Sequence, residues 1–350
     1  DLNMRFDAIP AVDPTIGSAV QHTIDVLTKP LGSLGMLESI AKKMALIRGT
    51  ISPQITKKRV YVFAADHGIA REGVSAYPPE VTGEMVHNFI RGGAAVNVFG
   101  RHAGVEVFVV DAGVMTDIVS DSPQFISRKV NKGTKNFSQE PAMTAAEVEQ
   151  AITHGMEIAR TAIDAGTDLL VIGDMGIGNT TTATALCVAA GFPLDDLADI
   201  GTVIDAQTLE HKKNTIRKAL ALNKPNKNDP LDILRTVGGA CIAEMVGMIL
   251  TAASKRIPVV LDGYPVTTAA ILAAMINPGV KQYLFAGHQS AVKGHQHLLS
   301  SLGLEPILRL NMRLGEGTGG VLAVSIIEAA LKMLNEMATF ESAGVSQGKE

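Results

Sequence analysis

The sequence predicts an α/β protein in which a parallel sheet of about six strands is flanked by helices. Hydrophobic residues make up 46% of the 350 residues and charged residues 19%, so there is enough apolar material for a large buried core. Short β-branched runs recur along the chain, and alanine-rich helical segments follow them. These runs are apolar throughout instead of alternating, which is typical of strands buried on both faces of a parallel sheet.

The individual elements follow from local patterns. Two helices are predicted at residues 15–28 and 34–48, because Pro30 and the neighbouring glycines interrupt an otherwise helical pattern. A further amphipathic helix is predicted at residues 321–338. Between these helices lie the predicted strands, at residues 59–66, 105–111, 168–174, 257–262, 282–287 and 307–314.

The order of these elements predicts two domains, which agrees with a typical length of about 150 residues per domain. Residues 51–320 are predicted to form the α/β domain. Residues 1–50 and 321–350 are predicted to form a small helical domain that is built from both ends of the chain.

Composition argues against several classes of function. The formal net charge is -4 and there is no long basic run, so a nucleic-acid surface is not expected. Charge-free stretches at residues 175–194 and 263–280 are interrupted by polar residues, glycine or proline, so no membrane association is expected. The two cysteines, Cys187 and Cys241, are too few for a disulfide framework. We therefore expect a cytoplasmic protein.

Acidic residues end several of the predicted strands. Ligands of open α/β sheets bind outside the carboxyl ends of the strands, so these residues predict a polar crevice at one edge of the sheet. An aspartate between a strand and a helix can equally cap the helix, and the sequence leaves both interpretations open. The residues are Asp66, Asp111, Asp174 and Asp262, with Glu316 after the last predicted strand.

The richest motif is Gly173-Asp-Met-Gly-Ile-Gly-Asn-Thr-Thr-Thr182, which follows a predicted strand and precedes an alanine-rich helix. Backbone N–H groups and the helix dipole at such a position can hold an anion. The loop contains no lysine and matches neither a P-loop nor the GxGxxG dinucleotide motif, which favours a monophosphate over a triphosphate. The alternative is a glycine-rich turn that only lets a helix pack closely on the sheet.

Two further loops carry candidate site residues. Glu316 lies between Gly315 and Gly317, where apolar surroundings would raise its pKa toward that of a general base; the alternative is a solvated loop residue. Tyr77 precedes two prolines in a loop that suits stacking against a planar ligand, or a plain surface turn. The histidines at residues 288–297 have no partners at ligand spacing, so no metal is expected.

Motifs spread in order from residue 29 to residue 320 carry a resemblance to a known family. They are Lys29-Pro-Leu-Gly-Ser-Leu-Gly35, Ala64-Ala-Asp-His-Gly68, Glu72-Gly-Val-Ser-Ala-Tyr-Pro78, Arg91-Gly-Gly-Ala-Ala95, Gly173-Asp-Met-Gly-Ile-Gly-Asn-Thr-Thr181, Leu261-Asp-Gly263 and Arg313-Leu-Gly-Glu-Gly-Thr-Gly319. Through them the chain resembles the nicotinate-nucleotide–dimethylbenzimidazole phosphoribosyltransferase family. The resemblance implies a Rossmann-like sheet, nicotinate mononucleotide and an aromatic base as substrates, a homodimer or a heterodimer with a paralogue, and neither metal nor cofactor.

The resemblance also implies roles for individual residues, which join those predicted from the loop and the strand ends. The family's general base falls on Glu316. The acceptor would be bound by Tyr77, Pro78, Met85, Leu314 and Gly315. Phosphate and ribose would be bound by Asp174, Gly176, Gly178, Asn179, Thr180, Thr181, Lys212 and Asp262.

Some positions depart from the family's usual residues, which leaves the choice of acceptor open. Asp174 stands for Glu, Met36 for Arg, Gly287 for Ser and Val292 for Glu. Alternatives are therefore a phosphoribosyltransferase that activates phenol, cresol or adenine, and a weakly active partner subunit of a heteromeric enzyme. A nucleotide-dependent oxidoreductase is a third alternative, which the missing GxGxxG motif disfavours.

Overall fold

A parallel sheet organises the structure, a computed structural model that describes residues 4–198 and 205–349. Within these residues seven strands pair in parallel, which confirms the predicted α/β class. They are β1 (Lys58–Ala65), β2 (Glu106–Gly113), β3 (Phe125–Ser127), β4 (Leu169–Met175), β5 (Val259–Leu261), β6 (Leu284–His288) and β7 (Pro306–Leu308). Their order across the sheet is β3-β2-β1-β4-β5-β6-β7.

The edges of the sheet differ from the prediction. β3 is a three-residue edge strand that is only partly buried, so it lacks the continuous apolar run that marks the other strands. The predicted strand at residues 307–314 is too long, because β7 ends at Leu308. Asn311 has a φ of 57°, a left-handed conformation that is incompatible with a strand.

Fourteen α-helices flank the sheet in the described part of the chain. They are α1 (Pro14–Asp25), α2 (Met36–Arg48), α3 (Val81–Arg91), α4 (Ala95–Ala103), α5 (Ala145–Asp164), α6 (Asn179–Ala189), α7 (Leu194–Leu197), α8 (Ala206–Asn223), α9 (Pro230–Val237), α10 (Ala240–Ser254), α11 (Tyr264–Ile276), α12 (His295–Ser301), α13 (Thr318–Glu336) and α14 (Phe340–Ala343). Local sequence sets their starts: Thr144 and Glu147 accept each other's N–H before α5, as a reciprocal cap.

The helices predicted near the two ends of the chain are present as α1, α2 and α13. α1 packs against α2, α2 packs against α13, and a bridge between Leu27 and Thr339 joins segments from both ends. α13 also packs against β4, β5, β6 and β7, and one buried hydrophobic cluster includes residues from Val20 to Leu334. The division into residues 51–320 and a terminal helical domain stays a prediction.

α13 is, in the described residues, the one helix that is long and apolar enough to cross a membrane. Core helices of globular proteins meet the same criterion, so the length and composition of α13 are weak evidence for a membrane span. Most of its apolar side chains are buried against the sheet and the neighbouring helices, and this packing explains its composition.

The strand order reverses at β1. From β1 the chain passes to β2 and β3 in one direction, and it returns to β4 on the other side of β1 before continuing to β7. Ligands of such sheets bind in the crevice at the carboxyl ends of the strands where the order reverses. The residues that follow β1 and β4 therefore mark the expected site.

α5 and α10 approach each other closely because glycines lie at their contact. A Cβ at Gly155 in α5 would collide with the carbonyl oxygen of Glu244 in α10. A Cβ at Gly247 in α10 would likewise collide with the carbonyl oxygen of Ile152 in α5. The backbones touch directly, so neither helix can accept a side chain there without moving.

Gly155→Ala should lower the free energy of unfolding by roughly 1–3 kcal/mol, because the added methyl group separates two packed helices. Gly17→Ala is the matched control, since Gly17 is also helical but a Cβ there would meet only the ends of two flexible side chains, Leu46 at 3.2 Å and Lys42 at 3.6 Å. Alanine favours a helix over glycine by up to about 1 kcal/mol, so this variant should be neutral or stabilised. Urea unfolding measures both, and equal stability of the two variants would contradict the close contact.

Candidate active site

The loop between β4 and α6 lies where the strand order reverses. Gly178 precedes α6 with a φ of 91°, a left-handed conformation that favours glycine. The first N–H groups of α6 have no partners within the helix, so its N-terminus can hold an anion. Gly176 is glycine for another reason, because a Cβ there would collide with the carbonyl oxygen of Ala65. Close packing thus explains Gly176, and phosphate binding by this loop stays a prediction.

Polar side chains at the start of α6 surround this N-terminus. Asn179 Nδ2 donates to Asp174 Oδ2 at 2.8 Å, which ties the helix to the end of β4. Thr180 is half-buried, and the Thr181 hydroxyl is buried without a hydrogen-bond partner. Lys212 lies in α8, which packs against α6, and its buried side chain already takes part in an interaction.

His67 supports the same loop, although the sequence suggested no role for this residue. Its Nδ1 lies 2.9 Å from Thr182 Oγ1, and its Nε2 lies 3.6 Å from Cys241 Sγ. The imidazole fills the space beside Gly176 and Gly239, where a Cβ would press on the ring. Burial lowers the pKa of His67 to about 4, so the ring is neutral near pH 7. The Asp-His-Gly sequence directly after β1 was the signal that could have identified it.

Glu316 projects from a turn in which three consecutive residues are left-handed. Gly315, Glu316 and Gly317 have φ values of 83°, 65° and 93°. A residue with a side chain costs about 1–2 kcal/mol in this conformation, and such strain is concentrated at functional sites. Glu316 is only 4% exposed, its Oε1 has no hydrogen-bond partner, and burial raises its pKa to about 7. Its burial excludes the interpretation as a solvated loop residue.

The turn that carries Glu316 is built against the end of β4. At Gly173 in β4 a Cβ would collide with the backbone of Glu316 and Gly317, so the turn lies directly on the strand. The Glu316 N–H donates to the carbonyl oxygen of Asp174 at 3.3 Å. Glu316 and the start of α6 therefore meet at Asp174, whose carboxylate binds the first residue of that helix.

Asp262 is predicted to bind phosphate or ribose, and the structure shows other partners for its carboxylate. Oδ2 accepts the Gly317 N–H at 2.9 Å, and Oδ1 accepts the N–H groups of Gly319 and Gly320 at 2.9 and 3.2 Å. The residue is 1% exposed, so these contacts occupy the carboxylate inside the protein. Asp262 thus holds the N-terminus of α13, and its contact with a substrate stays a prediction.

The other carboxylates predicted at this edge divide into two kinds. Burial raises the pKa of Asp174 to about 7, so this residue shares the unusual environment of Glu316. Asp66 accepts the Met115 N–H at 2.6 Å, and Asp111 accepts the Val114 N–H at 2.9 Å. These two residues hold the loop after β2, so they act on the backbone, but neither of them caps a helix as the alternative interpretation proposed.

The predicted acceptor-binding residues lie in two loops, and the most exposed of them are apolar. Tyr77 is 62% exposed and Leu314 is 58% exposed, which suits a surface that receives a planar apolar ligand. The Ile177 N–H donates to Thr82 Oγ1 at 3.1 Å and thereby ties the start of α3 to the loop before α6. The residues are Tyr77, Pro78 and Met85 in and before α3, and Leu314 and Gly315 before α13.

Among the departures from the family's usual residues, Asp174 contacts the turn of Glu316 directly and Gly287 contacts the helix that follows this turn. A Cβ at Gly287 would be 2.7 Å from Gly320 Cα in the first turn of α13. Val292 donates its N–H to Ser290 Oγ at 3.2 Å, and Met36 is the first residue of α2. Gly287 therefore allows α13 to approach the sheet closely.

Residues 4–198 and 205–349 contain neither an exposed cysteine nor a cluster of metal-ligating side chains. No group of three His, Cys, Asp or Glu side chains in this part of the chain is placed to hold a metal ion. Cys187 and Cys241 are buried free thiols. Burial raises the pKa of Cys187 to about 12, so it stays protonated and packs as a small core residue.

Comparisons with known proteins agree with one another. A family model described as phosphoribosyltransferase matches residues 9–345. A Chloroflexus aggregans protein named nicotinate-nucleotide–dimethylbenzimidazole phosphoribosyltransferase is 49% identical over 350 residues, covering 100% of this chain and 99% of its own. A Geobacter sp. (strain M21) protein of the same name is 50% identical over 346 residues, covering 99% of each chain. A crystal structure of the Thermus thermophilus enzyme of this name superposes with a TM-score of 0.91 and 45% identity, covering 96% of this chain and 100% of that one.

Glu316→Gln should stabilise the folded protein at pH 8 but not at pH 4.5. The pKa of Glu316 is about 7 when folded and 4.5 in its ordinary state, so the folded chain keeps a proton that the unfolded chain releases. The resulting loss of stability is small at and below pH 4.5, grows as pH rises toward 7, and is complete above pH 7. Removing the charge should therefore raise the free energy of unfolding at pH 8 by on the order of 1–3 kcal/mol.

Urea unfolding at pH 4.5 and pH 8 measures this difference. Comparing variants at each pH cancels the contribution of Asp174, which is present in both. Glu149→Gln is the control, because Glu149 is exposed on α5 and should not change the pH dependence. If Glu316→Gln and the unmodified protein were equally stable at pH 8, Glu316 would not be a destabilised, buried carboxylate.

Proposed function

This chain belongs to the family of nicotinate-nucleotide–dimethylbenzimidazole phosphoribosyltransferases, and from that premise we propose how its residues carry out the reaction. The reaction moves the 5-phosphoribosyl group of nicotinate mononucleotide to 5,6-dimethylbenzimidazole, which yields an α-ribazole 5′-phosphate and nicotinate. One observation carries the proposal: a buried Glu316, whose Oε1 has no partner, and the N-terminus of α6 meet at Asp174.

The chemistry explains why a single carboxylate is enough. The nitrogen that leaves C1′ belongs to a pyridinium ring, so the bond breaks with its electron pair going to that nitrogen and the nicotinate ring departs uncharged. The benzimidazole nitrogen that attacks C1′ is a weak nucleophile until the N–H on its other nitrogen is lost. A base that accepts this proton therefore supplies what the reaction lacks, about 10²–10⁴-fold in rate.

Glu316 is suited to accept that proton. A carboxylate with a pKa near 7 is a stronger base than an ordinary glutamate, and a useful fraction of it is still ionised at neutral pH. Its Oε1 has no partner within the protein, so this oxygen can accept the azole N–H. The exposed Tyr77 and Leu314 offer apolar surface to the planar acceptor.

The 5′-phosphate is proposed to bind at the N-terminus of α6, with Thr180, Thr181 and Lys212. The free N–H groups of this helix end and its dipole attract an anion, and a buried ammonium group on the adjacent helix would add a charged contact. Binding the phosphate there would hold C1′ near the base. Positioning of two substrates in line can contribute about 7–11 kcal/mol to the rate.

The alternatives are less well supported. The curated relatives that align over the whole chain are named for dimethylbenzimidazole, and none of the comparisons favours a phenolic acceptor or a weakly active partner subunit. Purified alone, the chain should release nicotinate from nicotinate mononucleotide when dimethylbenzimidazole is present. We further propose a cytoplasmic homodimer, for which light scattering should give about twice the chain mass of 36.8 kDa.

Glu316→Gln should lower kcat by about 10²–10⁴-fold at pH 7, because the amide keeps the shape of the side chain but cannot accept the proton. The KM of each substrate should change little, since the variant loses no binding group. Nicotinate release measures kcat, and calorimetry measures acceptor binding. Glu149→Gln serves again as the control, and turnover of Glu316→Gln near that of the unmodified protein would mean that another group takes the proton.

Lys212→Ala should raise the KM for nicotinate mononucleotide, because it removes a charge-assisted contact worth about 1.5–3 kcal/mol. The KM for the acceptor should stay almost constant. Lys213→Ala is the matched control, since Lys213 lies next to it in α8 but pairs with Asp195 at 3.1 Å. If the two variants had equal KM values for nicotinate mononucleotide, Lys212 would not bind the phosphate.

A further inference from the structure

The base is held in place by a carboxylate from a different strand. α13 begins at Thr318, and Gly317 before it has no side chain that could cap the helix. Asp262, at the end of β5, supplies the missing acceptors for N–H groups in and before the first turn. Because Gly317 adjoins Glu316 in the chain, Asp262 fixes the backbone from which the base projects.

His288 lies on the other side of Asp262. Its Nε2 is 3.4 Å from Asp262 Oδ1, and the two side chains are 2% and 1% exposed. The His288 ring packs directly on Gly319, where a Cβ would collide with it. Since His288 ends β6, three neighbouring strands contribute to the support of one turn: Asp174 from β4, Asp262 from β5 and His288 from β6.

Several elements contribute polar and titratable groups to the surroundings of Glu316 and Asp262. The negative charge of Asp262 adds to burial in raising the pKa of Glu316, while the Val96 N–H from α4 donates to the carboxylate and lowers it. Burial lowers the pKa of His295 to about 3, so this ring is neutral. The titratable groups are Asp174 from β4, Asp262 after β5, His288 from β6 and His295 from α12.

We propose that Asp262 is a positioning residue for the reaction, which fixes the backbone of the base through α13 and keeps the base strong through its own negative charge. This inference rests on the proposed role of Glu316. A neutral residue at position 262 that still accepts hydrogen bonds would keep the start of α13 in place but remove the negative charge near Glu316. The two contributions can therefore be measured separately.

Asp262→Asn and Asp262→Ser provide that measurement. Both keep an oxygen that can accept an N–H from the start of α13, and both remove the charge. We expect the acid limb of the kcat profile to move toward lower pH by about one unit, because loss of a nearby like charge lowers the pKa of Glu316. We expect kcat at its optimum to fall by about 10-fold with a weaker base, while both KM values change by less than about 3-fold.

Asp111→Asn is the matched control. Asp111 is an equally buried carboxylate near the end of β2, and it also accepts a backbone N–H, from Val114. In the strand order, however, β2 lies on the opposite side of β1 from β4, β5 and β6. The acid limb of the kcat profile of Asp111→Asn should coincide with that of the unmodified protein. If both Asp262 variants lost activity at every pH with an unmoved limb, or failed to fold in thermal unfolding, Asp262 would be purely structural and the inference would be wrong.

Infrared difference spectra separate this inference from the proposed function. The C=O band of protonated Glu316, assigned by its loss in Glu316→Gln, should titrate near pH 7 in the unmodified protein and at lower pH in Asp262→Asn. A shifted band in a chain that releases no nicotinate would reject the proposed reaction while showing that the charge of Asp262 acts on Glu316. An unshifted band in an active chain would reject the inference alone.

Discussion

The position of Glu316 depends on a direct contact between two backbones. Gly173 leaves β4 without a side chain at the point where the turn of Glu316 and Gly317 lies on the sheet. That contact brings a segment from the C-terminal part of the chain to the middle of the sheet, beside the start of α6. Any Cβ at Gly173 would displace the turn, and the hydrogen bonds that Asp174 and Asp262 make with it would be lost. The hydrogen bonds that hold this turn therefore require that residue 173 has no side chain.

Stability and reactivity oppose each other in this arrangement. Asp174 and Glu316 are buried close to Asp262, and burial raises the pKa of both to about 7. Carboxylates in such surroundings destabilise the folded chain near neutral pH, since water no longer solvates their charge. The large apolar core and the continuous parallel sheet provide the stability that the crevice lacks, and burial in the crevice makes the carboxylate of Glu316 more basic than that of a solvated glutamate.

Much of the fold was predictable from the sequence because buried parallel strands leave no polar positions. The continuous apolar runs identified β1, β2, β4, β5 and β6, whereas β3 shares its partly exposed composition with loops. Glu316 and the start of α6 were found through their flanking glycines. The contacts that hold them were not predicted, although Asp262 itself was a candidate, because Asp262 lies 55 residues from Gly317 and His67 lies 115 residues from Thr182. Local pattern carries no information on contacts between segments so far apart.

The close contact at Gly287 limits which residues can stand at this position. Related enzymes usually carry serine there, but in this chain a Cβ at residue 287 would be 2.7 Å from Gly320 Cα. A serine could enter only if α13 moved away from β6, and the turn that precedes α13 would move with it. The residue at position 287 and the position of α13 are therefore coupled, so the effect of a substitution at residue 287 depends on how closely α13 packs on β6.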